Sequence, residues 1–255
     1  MKRLFGIAIA MIALVALVGC EGEVALDSPD VTYTVIDQGA TLRLSWIEIT
    51  DADGYYIYAD GVVIDTIDNP SITTYDAETP AKLYEVTAYS GEDESAADEI
   101  DCAPVITASL DVWDTDQPAP DPSGFGFNSV GTAVAYTLTN QDNWPFIDYY
   151  IHGGATTEFW SPHHGNYNDE VNVTKNSGLS NFDAITIADA PGGYLSINPV
   201  NSGAVYYFWI DPTDNGWDAS TDYFGKIKVE AIDGNKVTMK LAFQPIAGLR
   251  WCVTP

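Results

Sequence analysis

Four sets of residues have types and spacings that could do chemistry. His163 and His164 are adjacent in Trp160-Ser161-Pro162-His163-His164-Gly165-Asn166-Tyr167, and Pro162 and Gly165 mark a loop. Neighbouring imidazoles can hold a transition metal or supply an axial ligand to haem, with Trp160 and Tyr167 flanking a flat ligand. A solvated loop is the plainer alternative. The stretch from Asp211 to Asp222 follows part of a calcium-loop pattern: Asp211, Thr213 and Asn215 offer oxygens at alternate positions, Gly216 follows, and Asp222 closes the run. Its flanks are strand-like and its last acid is Asp where Glu is usual, so an acidic hairpin loop is the alternative. Trp144, Trp160 and Trp217 lie in loop-like contexts where an exposed indole could stack on a sugar, although aromatics on half-buried sheets more often serve a core. Cys102 and Cys252 form a candidate disulfide that would staple the second half of the chain; two separate buried thiols are the alternative.

The motifs of common enzymes are missing. The chain has no Gly-x-Ser-x-Gly, no His-Glu-x-x-His and no phosphate-cradling glycine loop. Acid pairs such as Asp169-Glu170 are expected by chance among 37 carboxylates and single out no glycosidase. The sequence therefore predicts a non-catalytic protein. Of the remaining histidines and methionines, His152 is a further possible axial ligand, while Met239 sits in an alternating core pattern. The formal net charge is −27, with 20 acidic against 2 basic residues in 21–103 and 17 against 6 in 104–255. A nucleic acid partner, which needs basic neutralising groups, is excluded, and adsorption to anionic lipid is opposed. The acidic surface suits solubility in salty surroundings.

The elements that must position these residues begin with an address. Lys2-Arg3 precedes a 15-residue apolar run, Phe5 to Gly19, too short to span a bilayer and ending on a small residue before Cys20. Leu17-Val18-Gly19-Cys20 resembles the lipobox of bacterial lipoproteins. That resemblance implies that residues 1–19 are a signal peptide, that the Cys20 thiol is lipidated, and that residues 20–26 link a membrane-held N-terminus to the first domain. Glu21 follows where Asp would hold such proteins at the inner membrane, so the outer membrane is the expected location.

Residues 27–103 carry short alternating runs separated by turns and no helical period, which predicts a β-sandwich. Leu42, Leu44 and Trp46 share one face; Tyr55 to Tyr58 is strand-prone; Asp60-Gly61 marks a tight hairpin before Val62-Val63-Ile64; Leu83 to Tyr89 alternates again. The segments LRLSW, DGYYIYADGVVI and YEVTAYSGEDESA resemble, in order, strands of a fibronectin type III domain. On that resemblance Trp46 is the core tryptophan and Tyr84 the corner tyrosine, while Glu78-Thr79-Pro80-Ala81 departs from the usual turn. Such domains are commonly spacers or adhesion modules. Asp51 and Asp53 are first of all turn formers.

Residues 104–255 hold six of the seven tryptophans. Ala204 to Ile210 is a continuous apolar run, expected as a central strand buried on both faces. Phe224 to Ile232 and Lys236 to Phe243 predict a hairpin around Asp233-Gly234-Asn235, with Lys226, Lys228 and Lys240 pointing outward. VITASLDVW, VAYTLTN, FIDYYI and EVNVT are further strand candidates. From Asn181 onward the chain resembles haemophore-like lipoproteins of the HmuY type, through Phe182-Asp183, Ala190-Pro191, Gly193-Tyr194, Gly203, Tyr206, Lys226 and Phe243-Gln244. These are mostly fold-forming positions, and the resemblance implies a related β-rich fold more than haem binding. The expectation is thus an all-β chain: a fibronectin type III-like sandwich at 27–103, then a β-rich domain at 104–255. Its expected role is that of a lipid-anchored binding or surface-structural protein, contacting its ligand through the distal domain. Haem or metal capture and glycan binding or adhesion are the alternatives.

Overall fold

The computed structural model describes residues 26–117 and 120–254. The expected signal peptide, residues 1–19, and the expected lipidation site Cys20 lie outside the described residues. Among the described residues the chain is all-β apart from three short 3-10 turns, and no helix is long and apolar enough to cross a membrane.

The first eight strands form one packed unit. They are β1 (Thr32–Ile36), β2 (Thr41–Ser45), β3 (Gly54–Ala59), β4 (Val62–Ile67), β5 (Thr74–Ala77), β6 (Leu83–Ser90), β7 (Asp93–Glu94) and β8 (Asp98–Asp101). One sheet runs β1-β2-β5; the other runs β4-β3-β6-β7, with β8 also pairing to β6. The alternation in β2 buries Leu42 and Leu44, and Trp46 beyond it packs edge-to-face on Tyr55 at 5.0 Å. Tyr84 Oη donates to the Thr79 carbonyl at 2.6 Å, tying β6 to the loop before it. Asp60 and Gly61 both take positive φ, as a two-residue hairpin requires. Beyond this turn β4 is exposed along almost its whole length, because it is a sheet edge.

The second unit is built from β9 (Val105–Trp113), β10 (Gly124–Phe127), β11 (Ala133–Tyr136), β12 (Tyr149–His152), β13 (Glu158–Trp160), β14 (Val173–Asn176), β15 (Ile197–Pro199), β16 (Val205–Ile210), β17 (Tyr223–Asp233) and β18 (Lys236–Phe243). Two five-stranded sheets form, ordered β11-β10-β12-β13-β15 and β14-β16-β17-β18-β9. Phe125, Tyr149, Ile151 and Phe159 from the first interlock with Tyr206, Phe208, Ile227, Met239 and Leu241 from the second in one buried core. The expected hairpin is present, with Asp233 opposite Lys236.

Three sequence expectations need correction here. Lys226 does not point to solvent. It is fully buried, because residues 182–185 cross the outer face of β17, and its Nζ donates to the Phe182 and Ile185 carbonyls at 2.7 Å each and to Thr254 Oγ1 at 3.1 Å. Burial pushes its ammonium down to about 8. The boundary at 103/104 also fails to separate two cores, since Ile246, Leu249 and Trp251 are buried in the core of the first sandwich. Finally, Cys102 and Cys252 are free and buried. In the extended C-terminal segment adjacent residues face opposite ways, so Trp251 enters the first core beside Cys102 while Cys252 turns to Ala188 and Phe224.

The seam between the sandwiches is densely bonded. Arg250 donates from its backbone N to the Gly39 carbonyl at 3.0 Å and from Nε to the Gln38 carbonyl at 2.7 Å. Trp251 Nε1 donates to the Ala40 carbonyl at 3.0 Å. Gln244 Nε2 reaches the carbonyls of Cys102 at 3.0 Å and Trp251 at 2.9 Å. Gly39 has φ of 84°, and a Cβ there would sit 2.1 Å from the Gly248 carbonyl oxygen, so the close approach admits only glycine.

Candidate functional site

The alternation of β12 and β13 sorts their side chains by chemistry. Tyr149, Ile151 and Phe159 enter the core, and the intervening Tyr150, His152, Glu158 and Trp160 share the other face. The register sets Tyr150 opposite Trp160 and His152 opposite Glu158. The Trp160 ring lies 4.0 Å from the His152 ring and 5.8 Å from that of Tyr150, and its Nε1 donates to Glu158 Oε2 at 2.8 Å. Trp160 is held in place yet remains half-exposed.

The loop after β13 folds back over this face. Pro162, whose fixed φ suits the first position, opens a 3-10 turn at Pro162–Gly165; Asn166 ends it in a left-handed conformation. A Cβ at Gly165 would sit 2.2 Å from the Tyr167 ring, so the glycine lets Tyr167 return and pack at right angles on Tyr150, 5.2 Å away. Trp144 meets the other side of Tyr167 edge-on at 5.4 Å, and its Nε1 donates to the Leu138 carbonyl. Asn168 Nδ2 anchors the loop to the Trp144 and Ile147 carbonyls at 3.0 and 2.9 Å.

All three histidines of the chain gather here. The His163 and His164 rings are 3.8 Å apart, and His164 is 5.5 Å from Trp160. Each imidazole has a hydroxyl neighbour: Ser161 Oγ at 2.9 Å from His163 Nδ1, Ser196 Oγ at 3.0 Å from His164 Nε2, and Thr115 Oγ1 at 3.3 Å from His152 Nδ1. Burial, then the neighbouring His163, lowers the pKa of His164. The surface is therefore aromatic and rich in hydroxyls and imidazoles, and Glu158 supplies its carboxylate. It can stack a flat apolar ring and exchange hydrogen bonds around it. Among the described residues no group of three or more His, Cys, Asp or Glu side chains is placed to hold a metal ion.

The structure thus brings Trp144, a separate glycan candidate, to His163, His164 and Trp160, which the sequence had already grouped in one loop. His152 and Tyr167, both named from the sequence, join the face, and Tyr150 and Glu158 complete it; the outward half of the alternation in FIDYYI and EFW was the signal that could have found those two. The other candidates go elsewhere. Trp217 packs near Ala188, Phe224 and Cys252 and donates from Nε1 to the Gly248 carbonyl at 3.2 Å. In the calcium-type loop, Asp211 Oδ1 accepts from the Thr213 N–H and hydroxyl, and its Oδ2 accepts from Gly216 N. Asp222 is buried, and its Oδ2 accepts from Trp209 Nε1 and Asp218 N at 2.9 Å each. These oxygens close the hairpin loop on itself. Thr213 and Asn215 remain at its tip, and Met239 is in the core as its alternation implied.

No protein-family model and no curated protein matches the chain. Among solved structures, a DUF4466 family protein from Parabacteroides merdae aligns at 8% identity and a TM-score of 0.40, covering 86% of this chain and 98% of that one. So loose a superposition carries no functional argument.

Proposed function

We propose that this chain is a non-catalytic binding protein of the bacterial cell envelope, lipid-anchored through Cys20, whose second sandwich binds a glycan at the Trp160 face. The first sandwich is the membrane-proximal spacer and is of fibronectin type III kind. Its three-stranded sheet facing a larger one, the buried Trp46 and the Tyr84–Thr79 hydrogen bond support that reading. The LVGC motif supports the anchor, and Glu21 after Cys20 supports an outer-membrane location. The observation that carries the ligand assignment is the half-exposed Trp160, fixed by Glu158 and bordered by His152 and His164. An indole so held offers a rigid apolar plane, and the surrounding imidazoles and hydroxyls suit sugar hydroxyls.

A glycan array followed by affinity electrophoresis tests this assignment. Retardation by a hit polysaccharide, abolished in Trp160→Ala and kept in Trp217→Ala, is expected; an array without hits overturns it. The convergence of His152, His163 and His164 favours haem capture as the second reading, with the haemophore-like resemblance of the C-terminal half beside it. Hemin titration decides: a shifted Soret band lost in a His163→Ala/His164→Ala variant would replace the glycan assignment.

A further inference from the structure

A second site of different chemistry lies at the end of the second sandwich. A cavity of about 380 Å³ opens between its sheets, walled by Phe127 of β10, Ile210 of β16, Tyr223 of β17 and Phe243 of β18. It shares no lining residue with the Trp160 face. Two carboxyl groups, Asp148 and Glu170, also line it, and no lysine, arginine or histidine does. Among the described residues neither acid takes part in an ion pair.

Both acids are held rigidly. Asp148 Oδ2 accepts from the Phe127 N–H at 2.8 Å, and Glu170 Oε2 accepts from Asn172 Nδ2 at 3.0 Å. The same Asn172 amide donates to the Asp148 carbonyl at 3.1 Å, and its Oδ1 accepts from Asp211 N at 3.0 Å, so one fully buried asparagine fixes the geometry of the cavity floor. Rigidly held carboxyl groups without a counter-charge, set against aromatic walls, favour a ligand that brings a positive charge and an apolar body. A hard divalent ion would want six or more oxygens, and no three-ligand group occurs among the described residues.

We propose that this cavity binds an organic ammonium, its charge met by Asp148 and Glu170 and its apolar part by Phe127, Ile210, Tyr223 and Phe243. The site stands independently of the glycan assignment. Burial, and then the proximity of Glu170, pushes the Asp148 carboxyl up to about 8, and burial raises Glu170 as well, as expected of acids awaiting a cation. The other titratable groups that Asp148 influences are Tyr136 and Tyr149, phenols that burial pushes further up and that stay neutral over the range tested.

The test is isothermal titration of the whole chain at pH 8.5 with 3-methylbutylammonium chloride, with 3-methylbutan-1-ol as the neutral isostere and calcium chloride as the metal control. The ammonium should saturate one site, raise the melting temperature and bind about tenfold or more tighter than the alcohol. Its affinity should fall about tenfold at pH 6.5 as Asp148 takes up its proton. An Asp148→Asn/Glu170→Gln variant should lose binding. Equal binding of ammonium and alcohol, tighter binding of calcium, or no saturation up to about 10 mM would each overturn the proposal. The isostere and pH comparisons use the wild-type chain, so they decide even if the double variant does not fold.

Discussion

The two outer faces of the second sandwich start from similar residues and end differently. Over β16, β17 and β18, residues 182–188 and the C-terminal segment lie across the sheet. Phe182 and Ile185 pack with Val205 and Ala242, and Ala188 packs with Phe224 and Cys252. The tryptophans there, Trp209 and Trp217, are half-buried like Trp160, and their indole N–H groups donate to Asp222 and to the Gly248 carbonyl. Over β12 and β13 the covering loop stops short. Tyr150 is roofed by Tyr167, while Trp160 and His152 beside it stay half-exposed. Trp160 differs from Trp209 and Trp217 in its neighbours: the His152 and His164 rings, and a Glu158 carboxylate on its own strand. Composition alone does not distinguish the two faces; what lies on top of them does.

The comparison can be broken most forcefully on the covered side. Trp251→Ala should cost about 3–5 kcal/mol, because it empties the first core and cuts the bond to Ala40; urea denaturation of the full chain measures it, and a loss under 1 kcal/mol would mean the seam is ornamental. Next in size is a pH effect. The folded pKa of Asp148 lies far above its unfolded value, so its contribution to stability is complete below about pH 4 and is lost as pH rises through about 8. Glu170 acts in the same direction, and His164, lowered by burial, acts in the opposite one. The gap in melting temperature between pH 5 and pH 8 should therefore shrink in Asp148→Asn, and an unchanged gap would remove Asp148 as its source.

Lys226→Met keeps an unbranched apolar stem one atom shorter but leaves the Phe182 and Ile185 carbonyls without their donor; about 1–3 kcal/mol should be lost in the same urea assay. Trp160→Ala, on the open face, should cost about 1 kcal/mol or less while abolishing glycan retardation, a separation of stability from binding that Trp217→Ala should not show. The smallest effect is an absence. Cys102 and Cys252 are unbridged, so dithiothreitol should leave the melting temperature unchanged, and burial pushes both thiols up to about 12. Mass spectrometry after maleimide treatment should find no adduct on Cys102 or Cys252 until the chain is unfolded.

Much of the strand pattern was legible because alternation is a local property. Leu42, Leu44 and Trp46, the Asp60-Gly61 turn, the apolar Val205–Ile210 strand and the hairpin that buries Met239 were all readable from neighbours in sequence. What covers a sheet is a long-range property, and there the reading failed. Lys226 alternates as an outward residue and does leave the inner core, but 44 residues separate it from the Phe182 carbonyl that receives it. Cys102 and Cys252 were matched by their placement in the chain, whereas the direction of Trp251 decides that they face apart. In the Asp211–Asp222 loop the acid spacing gave no sign that backbone N–H groups of the same loop bond the Asp211 and Asp222 carboxylates. At the Trp160 face the sequence supplied the parts and missed the assembly, because Tyr150, His152 and Tyr167 become neighbours only through strand pairing and the turn at Gly165.

The contact between Trp251 and Ala40 joins residues 211 positions apart. A ribosome adding about 5–20 residues per second needs roughly 10–30 s to make the stretch between the end of the first sandwich and Trp251. During that interval the first sandwich lacks Ile246, Leu249 and Trp251 from its core. It cannot finish folding as it emerges, and the half made first is completed last.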